Sequence, residues 1–276
     1  MFDKNLLLRA LSALVGLPLV GLLVVWDQRW GFALLTFAMM AIALSEYTNM
    51  SPLRGRSGAE RGTLVVAGVV LGLAIYARPD FALTSLIVVA LAVGAAQLFF
   101  ATDMPTAGAR FGATLAGLLY VPLLLTALPL LQRDATHGES WVFVALGVTF
   151  SCDTGAYFAG RALGKRKLAP AISPGKTWAG FWGGVASAML FVFIARQTFF
   201  PTLSLVDVAV VGGASAVLGP AGDLVESMLK RSSGVKDSGN VIPGHGGVLD
   251  RVDALLFVGG FVYVYAAQLR AALGLG

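Results

Sequence analysis

Apolar residues gather in long blocks separated by short polar stretches, and the blocks recur from one end of the chain to the other. They cover residues 10–26, 30–44, 62–77, 81–100, 111–131, 141–160, 178–194, 206–230 and 254–269. A bilayer core about 30 Å thick takes roughly 20 mostly apolar residues per helix. The pattern therefore predicts an all-α, polytopic membrane protein with about nine transmembrane helices. Pro18 and Pro122 fall inside these blocks, where a membrane helix tolerates them because neighbouring groups re-satisfy the freed backbone. The first block, preceded by Lys4 and Arg9, has the layout of a secretory signal. No small-x-small site follows it, however, and Trp26-Asp27-Gln28-Arg29 stands there instead, so the reading is an uncleaved first helix.

Composition agrees with this pattern: 57% of residues are hydrophobic and 13% charged, where a soluble domain carries roughly a quarter charged residues. No stretch remains for a large soluble domain, and no nucleic-acid partner is expected. A net charge of +5 suits contact with anionic membrane lipids, although a positive-inside bias alone produces the same excess. Cys152 is the only cysteine, which excludes an intramolecular disulfide and a cysteine-built metal site.

Basic residues favour cytoplasmic loops. With nine spans and the N-terminus inside, fifteen of the twenty Lys and Arg residues fall in inner segments, including Arg54, Arg56, Lys165, Arg166, Lys167, Lys176, Lys230, Arg231, Lys236 and Arg251. Arg29, Arg78, Arg133, Arg196 and Arg270 remain outside. The C-terminus is then expected outside, in the inner membrane of a bacterium, with the two basic loops in the cytoplasm.

Polar chemistry is unevenly distributed, and it divides the chain into an N-terminal region of about five spans, residues 1–140, and a C-terminal catalytic region of about four, residues 141–276. In the first, Glu46 is the main ionisable residue within a span. The second places Asp153, Asp223, Glu226, Asp250 and Asp253 at or near span ends. Ionisable groups at membrane depth are costly and are candidates for function by default.

Asp223, Glu226, Ser227 and Lys230 stand at i, i+3, i+4 and i+7, one face of a helix. The alternative is a self-neutralising stripe at the interface, with Lys230 and Arg231 snorkelling. The stretch 234–247 is too rich in Gly, Ser, Asn and Pro for a helix and reads as a structured loop whose backbone N–H groups can cradle phosphate, with Lys236 as a point charge. His245 in this loop has three open readings: a base, a phosphate donor or a plain loop residue. Asp250 and Asp253 then open the last helix, where caps and metal ligands both want carboxylates. Beside Asp223 they offer the oxygen ligands expected of Mg²⁺. Asp153, Tyr157, Gly160 and Gly164 share a face of the sixth span, followed by the basic cluster Lys165-Arg166-Lys167. Gly175-Lys176-Thr177 ends like a Walker A motif, but Pro170 stands where that motif needs glycine, which leaves Lys176 as a lysine at the mouth of the seventh span.

The run Ser227-x-x-Lys230-Arg231-x4-Lys236-Asp237-x-Gly239-x-x-Ile242-Pro243-x-His245-Gly246-Gly247-x-x-Asp250-Arg251-x-Asp253 resembles the signature of the phosphatidate cytidylyltransferases. Residues 153–161 and Ser173-Pro174-x-Lys176-Thr177-Trp178 resemble that family too. Gly175 and Ala179 depart from its pattern, in which a basic residue and a glutamate often stand, so no role of that glutamate carries over. The resemblance implies attack of a phosphatidic acid oxygen on the α-phosphorus of CTP with loss of pyrophosphate, and a homodimer. It also implies Mg²⁺, alone or with a second cation, held by Asp223 and Asp250. Lys236 would act at the reacting phosphates. Lys176, Ser227, Lys230, Arg231, His245 and Arg251 would bind substrate, with Asp153, Glu226 and Asp253 either behind the metal ligands or as alternative ligands. Two other classes use similar residues: a CDP-alcohol phosphotransferase, whose last two aspartates are separated by three residues rather than the two between Asp250 and Asp253, and a cation transporter, which would not need the Gly-rich loop and clustered lysines.

The orientation yields a first prediction. In a Cys152→Ser background, Lys165→Cys and Lys236→Cys should resist an impermeant thiol reagent added to intact cells and react once the membrane is opened; ready labelling from outside would invert the topology.

Overall fold

The computed structural model describes residues 4–26, 29–55, 57–100, 103–242 and 246–275, with side chains from residue 14 onward. Arg56, His245 and the side chains of Lys4 and Arg9, all used above, lie outside the described residues. The chain folds into helices α1 (Lys4–Val25), α2 (Trp30–Asn49), α3 (Gly58–Ala77), α4 (Pro79–Phe99), α5 (Met104–Asp134), α6 (Gly138–Leu163), α7 (Trp178–Gln197), α8 (Leu205–Ser232) and α9 (Leu249–Ala272). Among the described residues, α2 to α9 are each long and apolar enough to cross a membrane, and α1 adds the apolar run Leu14–Val25. The all-α polytopic expectation holds. A short antiparallel hairpin between α6 and α7 was not anticipated: β1 (Lys167–Ala169) pairs with β2 (Ser173–Thr177), Lys167 opposite Thr177 and Ala169 opposite Ser173.

Three of the long helices contain wide turns, at Leu119–Leu123 in α5, Val208–Gly212 in α8 and Tyr265–Leu269 in α9. The first holds Pro122, which lacks the N–H that a regular helix would donate there. One turn on, Thr126 donates its hydroxyl to the Pro122 carbonyl at 2.6 Å.

The chain divides into two compact units, one of Met1–Pro129 with Leu229–Arg251 and the other of Leu130–Met228 with Val252–Gly276. Within the first unit, Leu44 and Met40 pack where Gly68 and Gly72 leave α3 without side chains. Glu60 and Arg110, both nearly inaccessible, face each other at 3.4 Å. That pair was not expected, because the apolar blocks begin at residues 62 and 111 and the helices begin earlier. Leu83, Leu91, Leu98 and Phe99 of α4 stand exposed, as a lipid-facing helix requires.

The second unit is built on a seam between α6 and α7. Gly155 meets Gly183 and Ser187, Gly180 meets the Ala156 carbonyl, and Gly184 meets Cys152; a side chain larger than hydrogen at these glycines would force the helices apart. Gly180 and Gly184, four residues apart on α7, thus make this close approach within the chain. Trp141 sits edge-on to Phe200 and Tyr265. Asp207, fully buried, accepts from the Tyr265 hydroxyl at 2.7 Å, the Ser204 N–H at 2.6 Å and Arg270 Nε at 3.2 Å.

Burying a carboxylate is tolerable only when its donors are kept. Tyr265→Phe should therefore lower stability in detergent by about 2 kcal/mol and leave turnover per folded molecule unchanged. A thermal midpoint equal to that of the parent protein would mean that the hydroxyl contributes nothing there.

Candidate active site

Two clusters of charged residues occupy the ends of helices, one in each unit. In the second unit the hairpin delivers Lys176. Thr177 ends β2 and caps α7, its hydroxyl accepting from the Gly180 N–H at 3.1 Å, and the Trp178 N–H donates to the Arg166 carbonyl at 3.0 Å. Held in this way, Lys176 places its Nζ 2.8 Å from Asp223 Oδ2 and donates to the Pro220 carbonyl at 3.2 Å. Ser227, one turn on along α8, donates to Asp223 Oδ1 at 3.1 Å. A side chain at Gly222 would meet the Asp253 carbonyl and Phe257, so glycine there lets α8 and α9 approach beside Asp223. The Asp223 side chain keeps 36% of its surface exposed.

In the first unit α8 ends in a tight reversal. Gly234 has φ +67; its N–H donates to the Arg231 carbonyl at 3.2 Å and that of Val235 to the Lys230 carbonyl at 3.0 Å, the paired bonds of a glycine-terminated helix. Ser233 fastens the exit, its hydroxyl donating to the Met50 carbonyl at 2.6 Å while Arg54 reaches its carbonyl at 3.0 Å. Lys230 pairs with Asp250 Oδ1 at 2.6 Å, with both side chains almost buried. The other oxygen, Oδ2, accepts from the Ser238 N–H at 3.0 Å, the Ser238 hydroxyl at 2.9 Å and the Gly247 N–H at 2.9 Å. Gly246 has φ +82, and its carbonyl takes the Ile242 N–H at 3.0 Å.

The first turn of α9 needs partners for its backbone N–H groups, and they come from two distant side chains. Glu46 of α2 accepts from Val248 N–H at 3.0 Å and from Leu249 N–H at 2.8 Å. Ser238 Oγ accepts from Asp250 N–H at 3.3 Å. Glu46 is the residue of this site that the motif reading left out. Its signal was an ionisable side chain inside an apolar span.

Of the other candidates, Lys236, Arg231, Arg251 and Asp153 are exposed, Glu226 is fully buried, and Asp253 is partly buried with Oδ1 accepting from the Ala254 N–H at 2.7 Å. Among the described residues no three His, Cys, Asp or Glu side chains group as a metal cage. Mg²⁺ needs no such cage, since one or two carboxylates and substrate phosphates complete its shell. Asp223 in the second unit and Asp250 in the first each offer carboxylate oxygens of the kind that a hard cation takes, and at each the cation would replace the lysine ammonium that pairs with it.

The chain matches the model of the Cytidylyltransferase family over residues 7–269. It is 34% identical over 268 residues to the phosphatidate cytidylyltransferase of Brucella suis biovar 1, a match that covers 96% of this chain and 94% of the relative. The phosphatidate cytidylyltransferase of Pseudomonas aeruginosa is 34% identical over 270 residues, 96% and 97% of the two chains. That of Bacillus subtilis (strain 168) is 47% identical over a shorter stretch of 131 residues, about half of each chain at 48% and 49%.

The two lysine–carboxylate pairs differ in burial, and this yields a prediction. Removing the cation from a buried pair strands a charge at a cost of about 3–5 kcal/mol, whereas a pair open to solvent contributes about 1 kcal/mol or less. Lys230→Met should therefore depress the thermal midpoint in detergent much more than Lys176→Met. Equal effects would show that burial of the Lys230–Asp250 pair does not set its strength.

Proposed function

The chain belongs to the cytidylyltransferase family, and from that premise we propose that it forms CDP-diacylglycerol and pyrophosphate from CTP and phosphatidic acid, with Asp223 and Asp250 at the centre of the chemistry. The observation that supports the assignment is that Lys230 and Asp250 of the signature form an almost buried ion pair and that Asp223, just before the signature, pairs with Lys176 of the 173–178 stretch, so these charges are not scattered over the surface. A phosphatidic acid oxygen attacks the α-phosphorus of CTP, the bond between the α-phosphorus and the bridging oxygen breaks, and pyrophosphate leaves with its electron pair. The attacking phosphate monoester is already ionised near neutral pH, so the reaction does not need His245 as a base.

Both reactants are anions, and catalysis must offset their repulsion and the charge that grows on the leaving group. Asp223 and Asp250 would hold Mg²⁺, which when bound supplies positive charge to the transferring phosphoryl group and the pyrophosphate. Lys176 and Lys230 compensate the same carboxylates before substrate arrives and turn to substrate phosphate afterwards. Lys236, Arg231 and Arg251, exposed on the signature segment, draw the nucleotide phosphates and the lipid headgroup. Ser227 orients Asp223, and Asp153, Glu226 and Asp253 stand behind the ligands. The basic bias of the inner loops supports a site on the cytoplasmic face of the inner membrane, where CTP is present and phosphatidic acid arrives laterally. The family resemblance supports a homodimer.

Asp223→Asn and Asp250→Asn conserve size and remove the charge that a hard cation requires. Each should lower turnover per folded molecule by on the order of a thousandfold. Each should also abolish the thermal stabilisation that Mg²⁺ with CTP gives the parent protein. Near-normal turnover and an unchanged Mg²⁺ response in either variant would remove that residue from the metal site.

A further inference from the structure

We propose that Glu46, which lies outside the signature and more than two hundred residues before Asp250 in sequence, is a positioning residue for the transfer reaction: its carboxylate sets the start of α9 and, through Ser238, the place of Asp250 and Lys230. The inference rests on the assignment of Asp250 and Lys230 to the reaction made above.

Glu46 is 4% exposed. A carboxylate that deep is costly unless hydrogen bonds replace its water. Its two oxygens divide the work: Oε1 accepts from the Val248 N–H at 3.0 Å, and Oε2 accepts from the Leu249 N–H at 2.8 Å and faces the Ser238 hydroxyl at 3.2 Å. The same hydroxyl lies 2.9 Å from Asp250 Oδ2, and the other Asp250 oxygen lies 2.6 Å from Lys230 Nζ. An unbroken chain of contacts thus runs from α2 to the reacting lysine–carboxylate pair. A carboxylate is also the group that the N-terminal end of a helix favours electrostatically.

Two glycines of the signature gain a physical reason from this contact. A Cβ at Gly247 would lie 2.6 Å from Glu46 Oε2 and would collide with Ser238 Oγ; one at Gly239 would collide with Glu46 Oε1. The loop folds over the carboxylate so closely that neither position has space for a methyl group. Glu46 is therefore built into the loop rather than resting against it.

The division of acceptors makes the amide a sharp probe. In Glu46→Gln one oxygen becomes an NH₂ donor, and in either orientation it confronts a backbone N–H that needs an acceptor. Volume is conserved while the function of the group is lost.

Glu46→Gln and Gly247→Ala, purified in detergent, should each lower kcat by about ten- to a hundredfold, the usual effect of losing a group that orients a reacting one, with KM for CTP little changed. The double variant should be no worse than the poorer single variant, because both changes disturb one contact. Hydrogen exchange measured without substrate should quicken in segment 236–252 and stay unchanged in the other helices. Parent-like kcat in Glu46→Gln would overturn the proposal, as would a lost kcat with unaltered exchange in that segment. Faster exchange throughout would make Glu46 a residue of general stability instead, and that too overturns it. Should Glu46→Gln not fold, Gly247→Ala decides by the same criteria. A parent protein that makes no CDP-diacylglycerol would defeat the reading of the reaction, while the exchange data would still decide whether Glu46 clamps the loop.

Discussion

A helix that begins inside a protein exposes several backbone N–H groups that no residue of its own can satisfy, and in this chain the beginning of α9 is also the beginning of the signature's last aspartates. The partners come from Glu46 of α2 and Ser238 of the preceding loop. Because the same Ser238 binds Asp250, the demand for helix capping and the placement of the Asp250 carboxylate are met by one set of hydrogen bonds. The glycines at 239, 246 and 247 follow from it, two by close approach and one by its positive φ. A loop that looks flexible by composition is therefore held by four backbone N–H groups and the Ser238 hydroxyl, all donating to two carboxylates.

Charge is arranged with similar economy. Asp223 and Asp250 each face a lysine, and the two pairs differ in how far they are withdrawn from solvent. Nucleotidyl transfer between two anions needs positive charge that is already in place, since reorganising it during the reaction would add to the barrier. Lysines anchored on carboxylates satisfy that need. Arg231, Lys236 and Arg251 are exposed, and in the proposed reaction they would recruit substrate.

The spans were legible because an apolar run of about twenty residues has few alternatives to a membrane helix. Their ends were less so. α2 continues to Asn49 because Glu46, Tyr47 and Thr48 are buried against protein rather than facing lipid, and the Glu60–Arg110 pair is swallowed for the same reason. The charged residues of the signature were legible as a motif, and Asp223 with Ser227 keeps the helical spacing read from the sequence. The partners of those residues were not, since Lys176 meets Asp223, and Glu46 meets Val248 and Leu249, only through tertiary folding. The hairpin between α6 and α7 escaped notice because its strands are three and five residues long, too short to leave an alternating pattern.

The central claim is that the α-phosphorus of CTP is transferred to phosphatidic acid. Purified protein in detergent micelles containing phosphatidic acid and Mg²⁺ can be given CTP labelled either at the α- or at the γ-phosphorus. The account predicts that the α label enters a lipid-soluble product and that the γ label leaves as pyrophosphate in equal amount. Absence of lipid-soluble α label, or entry of the γ label into lipid, would contradict it.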